Sequence, residues 1–582
     1  MEQVESSALP AEEKPRVGVF ICHCGINIGG IVNVPEVVKY VQTLPNVAYA
    51  EDNIYTCSAE GIDSIKQAIK EKSLNRVVVA SCTPRTHEPL FRAACQDAGM
   101  NPYLFAFANI REHCSWVHMR EPARATEKAK DIVRMAVARA SFLQPQQEAE
   151  VEVEPSALII GGGISGITSA LCLANQGFKV YVVEKEPELG GMLRNIYRLY
   201  PTDEEAANIL KSTIKTVTGH KNITIFTSAT VKSVEGYIGN FEVTVVKEGG
   251  QESKFKVGTV IIATGAVEFE PLDRYGYGKY DRVVSQLQLE KILQSGKPAM
   301  DKFAKPKTVI MIQCVGAREE KPPRAYCSRI CCMVAVKNAM LIKEWYPDSE
   351  VYIIYQDLQT YGKDYEEHHR KAREAGIKFI NYSKGNPPEV VAGPDKKLRV
   401  TAYHALLGQK NELDCDLVVL STPLVQHESA KELSKILKVP LGADEFFLEA
   451  HVKLRPVDFA TDGIFVCGTA HGPKDIGESV AQAYAVASRA ANPMANRKVR
   501  TEAITAVVNR DLCVGCRMCE KLCPFGAHRV EGGKSTVIEA ICKGCGVCAA
   551  ACLRRAITMK HFMDDQILAE IRTAFAPGGG SP

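Results

Sequence analysis

The chain has 582 residues, 46% hydrophobic and 24% charged, with a formal net charge of +3. This length allows three or four domains with substantial cores, and the composition is ordinary for a globular protein. The small net charge gives no reason to expect nucleic acid or an acidic membrane surface as a partner. No apolar run approaches the roughly 20 residues that span a bilayer, and the polar start is unlike a secretory signal, so we expect a cytoplasmic protein.

Residues 16–108 alternate short apolar strands with helical stretches, which predicts an N-terminal α/β domain with a parallel sheet, over 1–148. Five cysteines fall at or just after the ends of its predicted strands. In a parallel sheet those ends share one edge, so the thiols can converge on a cluster. We favour Cys24, Cys57, Cys82 and Cys114 as ligands, with Cys22 as a spare, and buried structural cysteines as the alternative.

Residues 157–185 read strand, Gly161-x-Gly163-x-x-Gly166, helix and a second strand that ends in Glu184. This order predicts a dinucleotide fold in which backbone amides approach a pyrophosphate and Glu184 binds a ribose hydroxyl. Three later segments, LGGML (189–193), VIIATGA (260–266) and IFVCGTAHGPKDIGESVAQA (464–483), resemble FAD-binding segments of disulfide-reductase-like flavoproteins. The alternative is a Rossmann fold without a cofactor. The candidate FAD-binding residues are Gly161, Gly163, Ile164, Ser165, Gly166, Glu184, Lys185, Gly191, Met192, Ala263, Thr264, Gly265, Gly468, Lys474, Asp475, Ile476 and Ser479.

A second α/β unit follows, and its first strand, TVIMIQ (308–313), leads into a cysteine-rich loop rather than a glycine-rich turn. The turn reads Cys314-Val315-Gly316-Ala317-Arg318, so a pyrophosphate site of the NAD(P) type is not expected. The loop carries Cys314, Cys327, Cys331 and Cys332, which could surround one cluster; buried or redox-active thiols are the alternative. We therefore expect an FAD domain in two parts, 149–304 and 414–498, interrupted by a degenerate NAD(P)-type domain at 305–413.

Eight of the 21 cysteines lie within forty residues near the C-terminus, in two runs of C-x2-C-x2-C-x3-C. In a long chain without a signal peptide, metal ligation explains such cysteines better than disulfides. Paired runs of this spacing are typical of a two-cluster bacterial ferredoxin, in which the fourth cysteine of each run serves the other cluster. Paired structural zinc sites are the alternative. We assign Cys513, Cys516, Cys519 and Cys552 to one 4Fe–4S cluster and Cys542, Cys545, Cys548 and Cys523 to the other, in a domain at 499–582.

Taken together, the chain resembles the iron–sulfur flavoprotein component of heterodisulfide reductase, its A subunit, and the bacterial relatives of that protein. The resemblance spans nearly the whole chain and rests on CHCGINIGG (22–30), SCTPRTHEP (81–89), NIREHCSWVH (109–118), CSRICCMVAVKNA (327–339), YGKDYEE (361–367) and the flavin segments. It implies a thioredoxin-reductase-like FAD unit, a non-standard 4Fe–4S cluster on Cys314, Cys327, Cys331 and Cys332, and a further cluster in the N-terminal domain. It also implies that Lys337 lies close to the flavin as a catalytic residue, although a solvated surface lysine is the commoner fate of such a residue.

The expected function is that of an electron-transferring oxidoreductase within a complex of several subunits. FAD would divide electrons between ferredoxin and a disulfide or other acceptor by bifurcation, or combine them in the reverse direction. The expected partners are disulfide-reducing subunits, a hydrogenase, dehydrogenase or reductase as electron donor, ferredoxin and a second copy of the chain. The alternatives are a self-contained NAD(P)H:ferredoxin oxidoreductase and a non-bifurcating wiring subunit. Residues 191–313 contain no cysteine, so the additional ferredoxin insertion usual in archaeal members is missing.

Overall fold

The structure is a computed structural model that describes residues 14–148, 150–303, 305–394 and 397–575, apart from the side chain of Thr86. The chain divides into two compact units. One holds the residues up to Glu150 together with those from Arg500 on, and the other is Val151–Val499. Among the helices in the described ranges, none has the length and apolarity needed to cross a membrane.

The N-terminal residues form a parallel sheet accompanied by helices, as the sequence predicts. The strand Val17–Cys22 is buried along its whole length, which is typical of strands covered on both faces. It pairs in parallel with Val47–Asn53 on one side and Arg76–Ser81 on the other, so the carboxyl ends share one edge. In sheet order the strands are Val47–Asn53, Val17–Cys22, Arg76–Ser81 and Phe105–Asn109; the helices are Val34–Val41, Ala59–Glu71, Pro84–Asp97 and Pro122–Ala140, with short helical turns at Gly25–Asn27 and Arg111–Ser115.

A five-stranded parallel sheet begins the second unit. Its first strand, Ser156–Ile160, is followed by the helix Ile164–Asn175, which starts at the predicted glycine turn. The edge strand Ile464–Val466 comes from much later in the chain and pairs with Thr259–Ile262. The sheet order is Ile464–Val466, Thr259–Ile262, Ser156–Ile160, Lys179–Val183 and Ile223–Phe226; an antiparallel sheet of Ala229–Tyr237, Asn240–Lys247 and Glu252–Val257 and the helices Ala206–Thr218 and Ile476–Asn496 complete this part.

The inserted part has its own five-stranded parallel sheet, whose extent differs from the predicted boundaries at 304/305 and 413/414. Val283–Ser285 and Leu417–Leu420 pair with each other in this sheet, so the insertion starts earlier and ends later. Two short antiparallel strands, Ala266–Glu268 and Leu424–Gln426, pair where the chain enters and leaves the insertion. The sheet order is Val283–Ser285, Leu417–Leu420, Thr308–Ile312, Glu350–Tyr355 and Lys378–Asn381; the antiparallel strands are Glu389–Ala392, Leu398–His404 and Gln409–Cys415, and the helices are Gln286–Gln294, Lys297–Met300, Cys331–Trp345 and Tyr365–Glu374. The later helix Ala430–Leu437 packs in the core of the first part of the unit, beside Ala229–Tyr237.

The C-terminal residues form two small antiparallel strand pairs with a short helix after each cysteine loop. The terminal helix Asp564–Phe575 packs on Pro122–Ala140 of the same unit. Arg139 Nη2 donates to the carbonyl of His561 at 2.9 Å, and Gln566 Nε2 donates to that of Phe142 at 3.1 Å. The strand pairs are Ala506–Val508 with Ile557–Met559 and His528–Glu531 with Lys534–Val537, and the short helices are Met518–Leu522 and Val547–Ala550.

Candidate cofactor and cluster sites

A cavity of about 830 Å³ opens within the Val151–Val499 unit, along the carboxyl ends of its first sheet. All of the predicted FAD-binding residues line this cavity except Gly166 and Gly468. Both exceptions lie directly behind the wall. A Cβ at Gly166 would clash with the carbonyl oxygen of Gly161, and one at Gly468 would clash with Ser165. The segments that the sequence singled out therefore converge on one cavity.

The glycine turn and Glu184 form the nucleotide-binding end of the cavity. Gly161 has φ +109°, a conformation that favours glycine, and an added Cβ would meet the backbone at Ala263. Glu184 is 6% exposed. Its Oε2 accepts from the backbone N–H of Gly162 at 2.6 Å and its Oε1 from that of Glu186 at 2.9 Å. The carboxylate is thus held in a fixed orientation at the wall, where it can accept a hydrogen bond from a ribose hydroxyl.

A helix N-terminus and a lysine supply positive charge at another part of the wall. Asp475 caps the helix Ile476–Asn496, because its Oδ1 accepts from the N–H of Glu478 at 2.8 Å. Lys474 Nζ donates to the carbonyls of Gly468 and Gly472 at 3.0 and 2.9 Å. Burial lowers the pKa of Lys474 to about 8. A helix N-terminus and an ammonium group both favour an anionic ligand, so this donor set fits a dinucleotide.

The four cysteines of residues 314–332 are brought together, and one of them reaches the cavity. Burial, followed by the neighbouring thiols of Cys332, Cys314 and Cys327, raises the pKa of Cys331 well above its ordinary value. Burial also raises the pKa of Cys332 to about 12, with the same loop cysteines contributing. The N–H of Arg329 donates to Cys327 Sγ at 3.4 Å. Because Cys331 lines the cavity, a cluster on these thiols would adjoin the bound cofactor.

Within the described residues, no three His, Cys, Asp or Glu side chains are close enough to hold a single metal ion. A cubane cluster distributes its four thiolates over four different iron atoms, so its ligands stand farther apart than those of one ion.

The turn after Thr308–Ile312 is closed against a nucleotide. Gly316 has φ +84°, and the ring of Phe269 lies where a ligand would approach its Cα. The guanidinium of Arg324 covers that ring at 4.3 Å from its centroid, and its Nε donates to the carbonyl of Gly316 at 3.0 Å. Phe269 and Arg324 therefore pack against Gly316, where an NAD(P)-type turn would face a pyrophosphate.

Lys337 is not on the surface but is buried in the cavity wall, with 1% exposure. Its Nζ forms an ion pair with Glu290, which also lines the cavity, and donates to the carbonyl of Arg198 at 2.9 Å. Burial lowers the pKa of Lys337, and the carboxylate of Glu290 opposes that effect. The sequence singled out Lys337 but gave no signal for Glu290.

The N-terminal sheet edge gathers cysteines, but not the four that were favoured. Burial, then the thiol of Cys22, raises the pKa of Cys24 and likewise that of Cys57. Burial also raises the pKa of Cys82. The guanidinium of Arg111 opposes this increase, and the thiols of Cys24, Cys22 and Cys57 add to it. The N–H of Thr56 donates to Cys22 Sγ at 3.4 Å. Cys22 therefore belongs to the group.

Cys114, the fourth ligand favoured from the sequence, lies apart from this group, whereas Cys22 lies within it. The Cys114 thiol is fully buried and donates to the carbonyl of Ala125 at 3.0 Å, at the start of the helix Pro122–Ala140. The turn Arg111–Ser115 directs its side chain toward that helix and into the core.

Backbone N–H groups around the C-terminal cysteine loops donate to four of the thiols that were assigned as ligands. Burial, then the thiols of Cys542, Cys545 and Cys523, raises the pKa of Cys548 to about 11, which places the fourth cysteine of the first run beside the second run. Backbone N–H groups that point at sulfur stabilise thiolate ligands and tune cluster potentials. These bonds are Ser535 N to Cys513 Sγ at 3.4 Å, Ala506 N to Cys542 Sγ at 3.4 Å, Ala527 N to Cys523 Sγ at 3.2 Å and Ala556 N to Cys552 Sγ at 3.3 Å.

Comparisons with known proteins identify two families and several relatives that this chain resembles. The family described as "Pyridine nucleotide-disulphide oxidoreductase" matches residues 155–310, and "4Fe-4S binding domain" matches residues 505–528. The chain is 42% identical to the A subunit of the H(2):CoB-CoM heterodisulfide,ferredoxin reductase of Methanothermobacter marburgensis, over 97% of the chain and 98% of that protein. It is 41% identical to the iron-sulfur A subunit of the CoB–CoM heterodisulfide reductase of Methanocaldococcus jannaschii, over 88% and 91%.

Among solved structures, the thioredoxin reductase of T. acidophilum is 16% identical and covers 59% of this chain and 99% of its own, with a TM-score of 0.40. The alignment with the M. marburgensis protein runs over 646 positions, more than the length of this chain, so that relative contains segments that this chain lacks.

Proposed function

Because the chain belongs to the family of heterodisulfide reductase A subunits, we propose that it performs flavin-based electron bifurcation, or the reverse reaction, within a multi-subunit complex. It is an oxidoreductase that carries FAD and iron–sulfur clusters. The two acceptors would be ferredoxin and a disulfide or other acceptor reached through partner subunits. A partner with hydrogenase, dehydrogenase or reductase activity would donate the electrons, and the chain would pair with a second copy of itself.

The observation that carries this proposal is that Cys331 lies on the same cavity wall as the glycine turn. A bound FAD exchanges electrons in pairs with some partners and singly with iron–sulfur clusters. The chain supplies a cluster-binding loop that meets the cavity directly, and Lys337 lies on the helix that Cys331 starts. A one-electron exit at the cofactor is what bifurcation requires of this chain.

Four 4Fe–4S clusters per chain are proposed. Two belong to the ferredoxin domain, with the ligands assigned from the sequence, and one to Cys314, Cys327, Cys331 and Cys332. The fourth would be held by Cys22, Cys24, Cys57 and Cys82, whose thiols influence one another at the N-terminal sheet edge.

The closed turn at Gly316 argues against a self-contained NAD(P)H:ferredoxin oxidoreductase. Phe269 and Arg324 occupy the approach that a pyrophosphate needs. We therefore expect that NADH and NADPH do not reduce the flavin of the purified chain. Reduction at a rate that matches turnover would establish the alternative.

The test of bifurcation uses the chain assembled with its partner subunits. Ferredoxin reduction should occur only while the second acceptor is also being reduced, in equal electron amounts. Cys331→Ala should abolish this coupling and remove one cluster's iron, whereas Cys415→Ala, a matched change at a buried cysteine in a strand away from the cavity, should leave both intact. Ferredoxin reduction that proceeds without the second acceptor would refute the proposal.

A further inference from the structure

One carboxylate on the cavity wall has no role in the sites described above. Glu290 lies on the helix Gln286–Gln294 and is 3% exposed. One of its oxygens forms the ion pair with Lys337, and the other accepts from the N–H of Tyr197 at 2.9 Å. Burying a carboxylate costs free energy unless its oxygens are paired, and here both oxygens of Glu290 have a partner.

The pair leaves the wall near Lys337 without net charge. Lys337 donates a second hydrogen bond to the carbonyl of Arg198, and the guanidinium of Arg198 is itself paired with Glu344 at 3.1 Å. Asp203 and His368 also face Lys337, Asp203 from the surface and His368 from the helix Tyr365–Glu374. An isolated lysine would be a cation at the wall, whereas the Lys337–Glu290 pair is a dipole.

This difference matters for the cofactor. At neutral pH, two-electron reduction of a bound FAD with uptake of one proton adds one negative charge to the site. A net cation favours that change, and a neutral pair does so much less. We propose that Glu290 is a positioning residue that fixes the ammonium group of Lys337 at the wall and cancels its charge, so that the flavin is harder to reduce. The proposal rests on the proposed function, because it requires FAD in this cavity.

The test is an anaerobic redox titration of the flavin absorbance in the purified, FAD-loaded chain at pH 7, with dithionite as reductant. At neutral pH the reduction adds the negative charge on which the proposal depends. Glu290→Gln preserves shape and hydrogen bonding, and the equilibrium constant for flavin reduction should rise about tenfold, since an unmasked charge within about 4–6 Å moves a pKa by about 1–3 units. Lys337→Met, which leaves the carboxylate alone, should lower the constant.

The double variant Lys337→Met, Glu290→Gln leaves no unpaired charge and should return close to the wild-type value. Glu268→Gln is the matched control, because Glu268 is also a buried carboxylate on this wall but is bound by Ser285 Oγ at 2.6 Å and the N–H of Leu287 at 3.1 Å. Combined with Lys337→Met, Glu290→Gln should restore the equilibrium constant for flavin reduction, whereas Glu268→Gln should not.

Two results would overturn the proposal: an unchanged flavin equilibrium in Glu290→Gln with FAD bound, or a double variant whose equilibrium constant stays as low as that of Lys337→Met. If Glu290→Gln binds no FAD, the double variant compared with Lys337→Met decides the matter in the same way. None of these measurements needs partner subunits, so they can fail while bifurcation stands. Absence of FAD from the wild-type chain would instead refute the proposed function.

Discussion

Lys474 should make FAD binding dependent on pH in a way that can be worked out from its surroundings. Its ordinary pKa of 10.5 is lowered to about 8 by burial, with the nearest carboxylates opposing the change. That difference corresponds to about 3 kcal/mol against the charged form in the empty site. Below pH 8 the folded chain carries this cost in full. Between pH 8 and 10.5 the unfolded chain holds the proton that the folded chain has lost, so stability of the FAD-free chain rises with pH.

Binding of FAD reverses the sign, because the negative pyrophosphate favours the charged lysine. The complex takes up a proton above pH 8, and the affinity for FAD should fall by up to about tenfold for each pH unit from 8 toward the pKa in the complex. The assay is FAD fluorescence quenching at pH 7, 8 and 9 on the chain stripped of flavin. Lys474→Met should bind FAD more weakly at pH 7 and lose this dependence. Equal pH profiles for the wild type and Lys474→Met would refute the reasoning.

Two further substitutions separate the sites. Cys22→Ala should lower the iron content by one cluster. Cys114→Ala removes a thiol buried against Ala125 and should destabilise the N-terminal domain without loss of iron. The reverse pattern would support Cys114 rather than Cys22 as the ligand. Gly166→Ala should abolish FAD binding, because its Cβ would clash with the carbonyl of Gly161, while the EPR signals of the ferredoxin domain persist; retention of FAD would show that the helix can move away.

The sequence finds the segments that line the cavity because a dinucleotide turn depends on local backbone geometry. The positive φ of Gly161 and the close approach at Gly166 each exclude a side chain, so the glycine spacing reports the structure directly. Glu184 follows from the same βαβ unit at a fixed distance along the chain. The ferredoxin cysteines are equally local, since three of the four cysteines assigned to each cluster come from one loop.

Features that depend on tertiary pairing could not be predicted in the same way. The run Leu417–Leu420 is apolar and buried, and nothing in it shows which of two parallel sheets it joins. Glu290 lies on a helix where the sequence alone predicts a surface glutamate, and its partner Lys337 is 47 positions away along the chain. Cys22 and Cys114 both lie at or after strand ends, and only the turn Arg111–Ser115 directs Cys114 away from the group around Cys22 and into the core.

The backbone of residues 314–330 gives an independent reason to expect a cluster there. Cys314, Arg318 and Arg329 have φ values of +64°, +56° and +65°, in the left-handed region that side chains rarely adopt. Such conformations cost of the order of 1–3 kcal/mol each and persist only where the surroundings enforce them. Four thiolates bonded to one cluster would impose the required turns and offset their cost. A cluster on this loop is the arrangement we propose for passing electrons singly from the cavity of a chain with a pyridine-nucleotide-type fold.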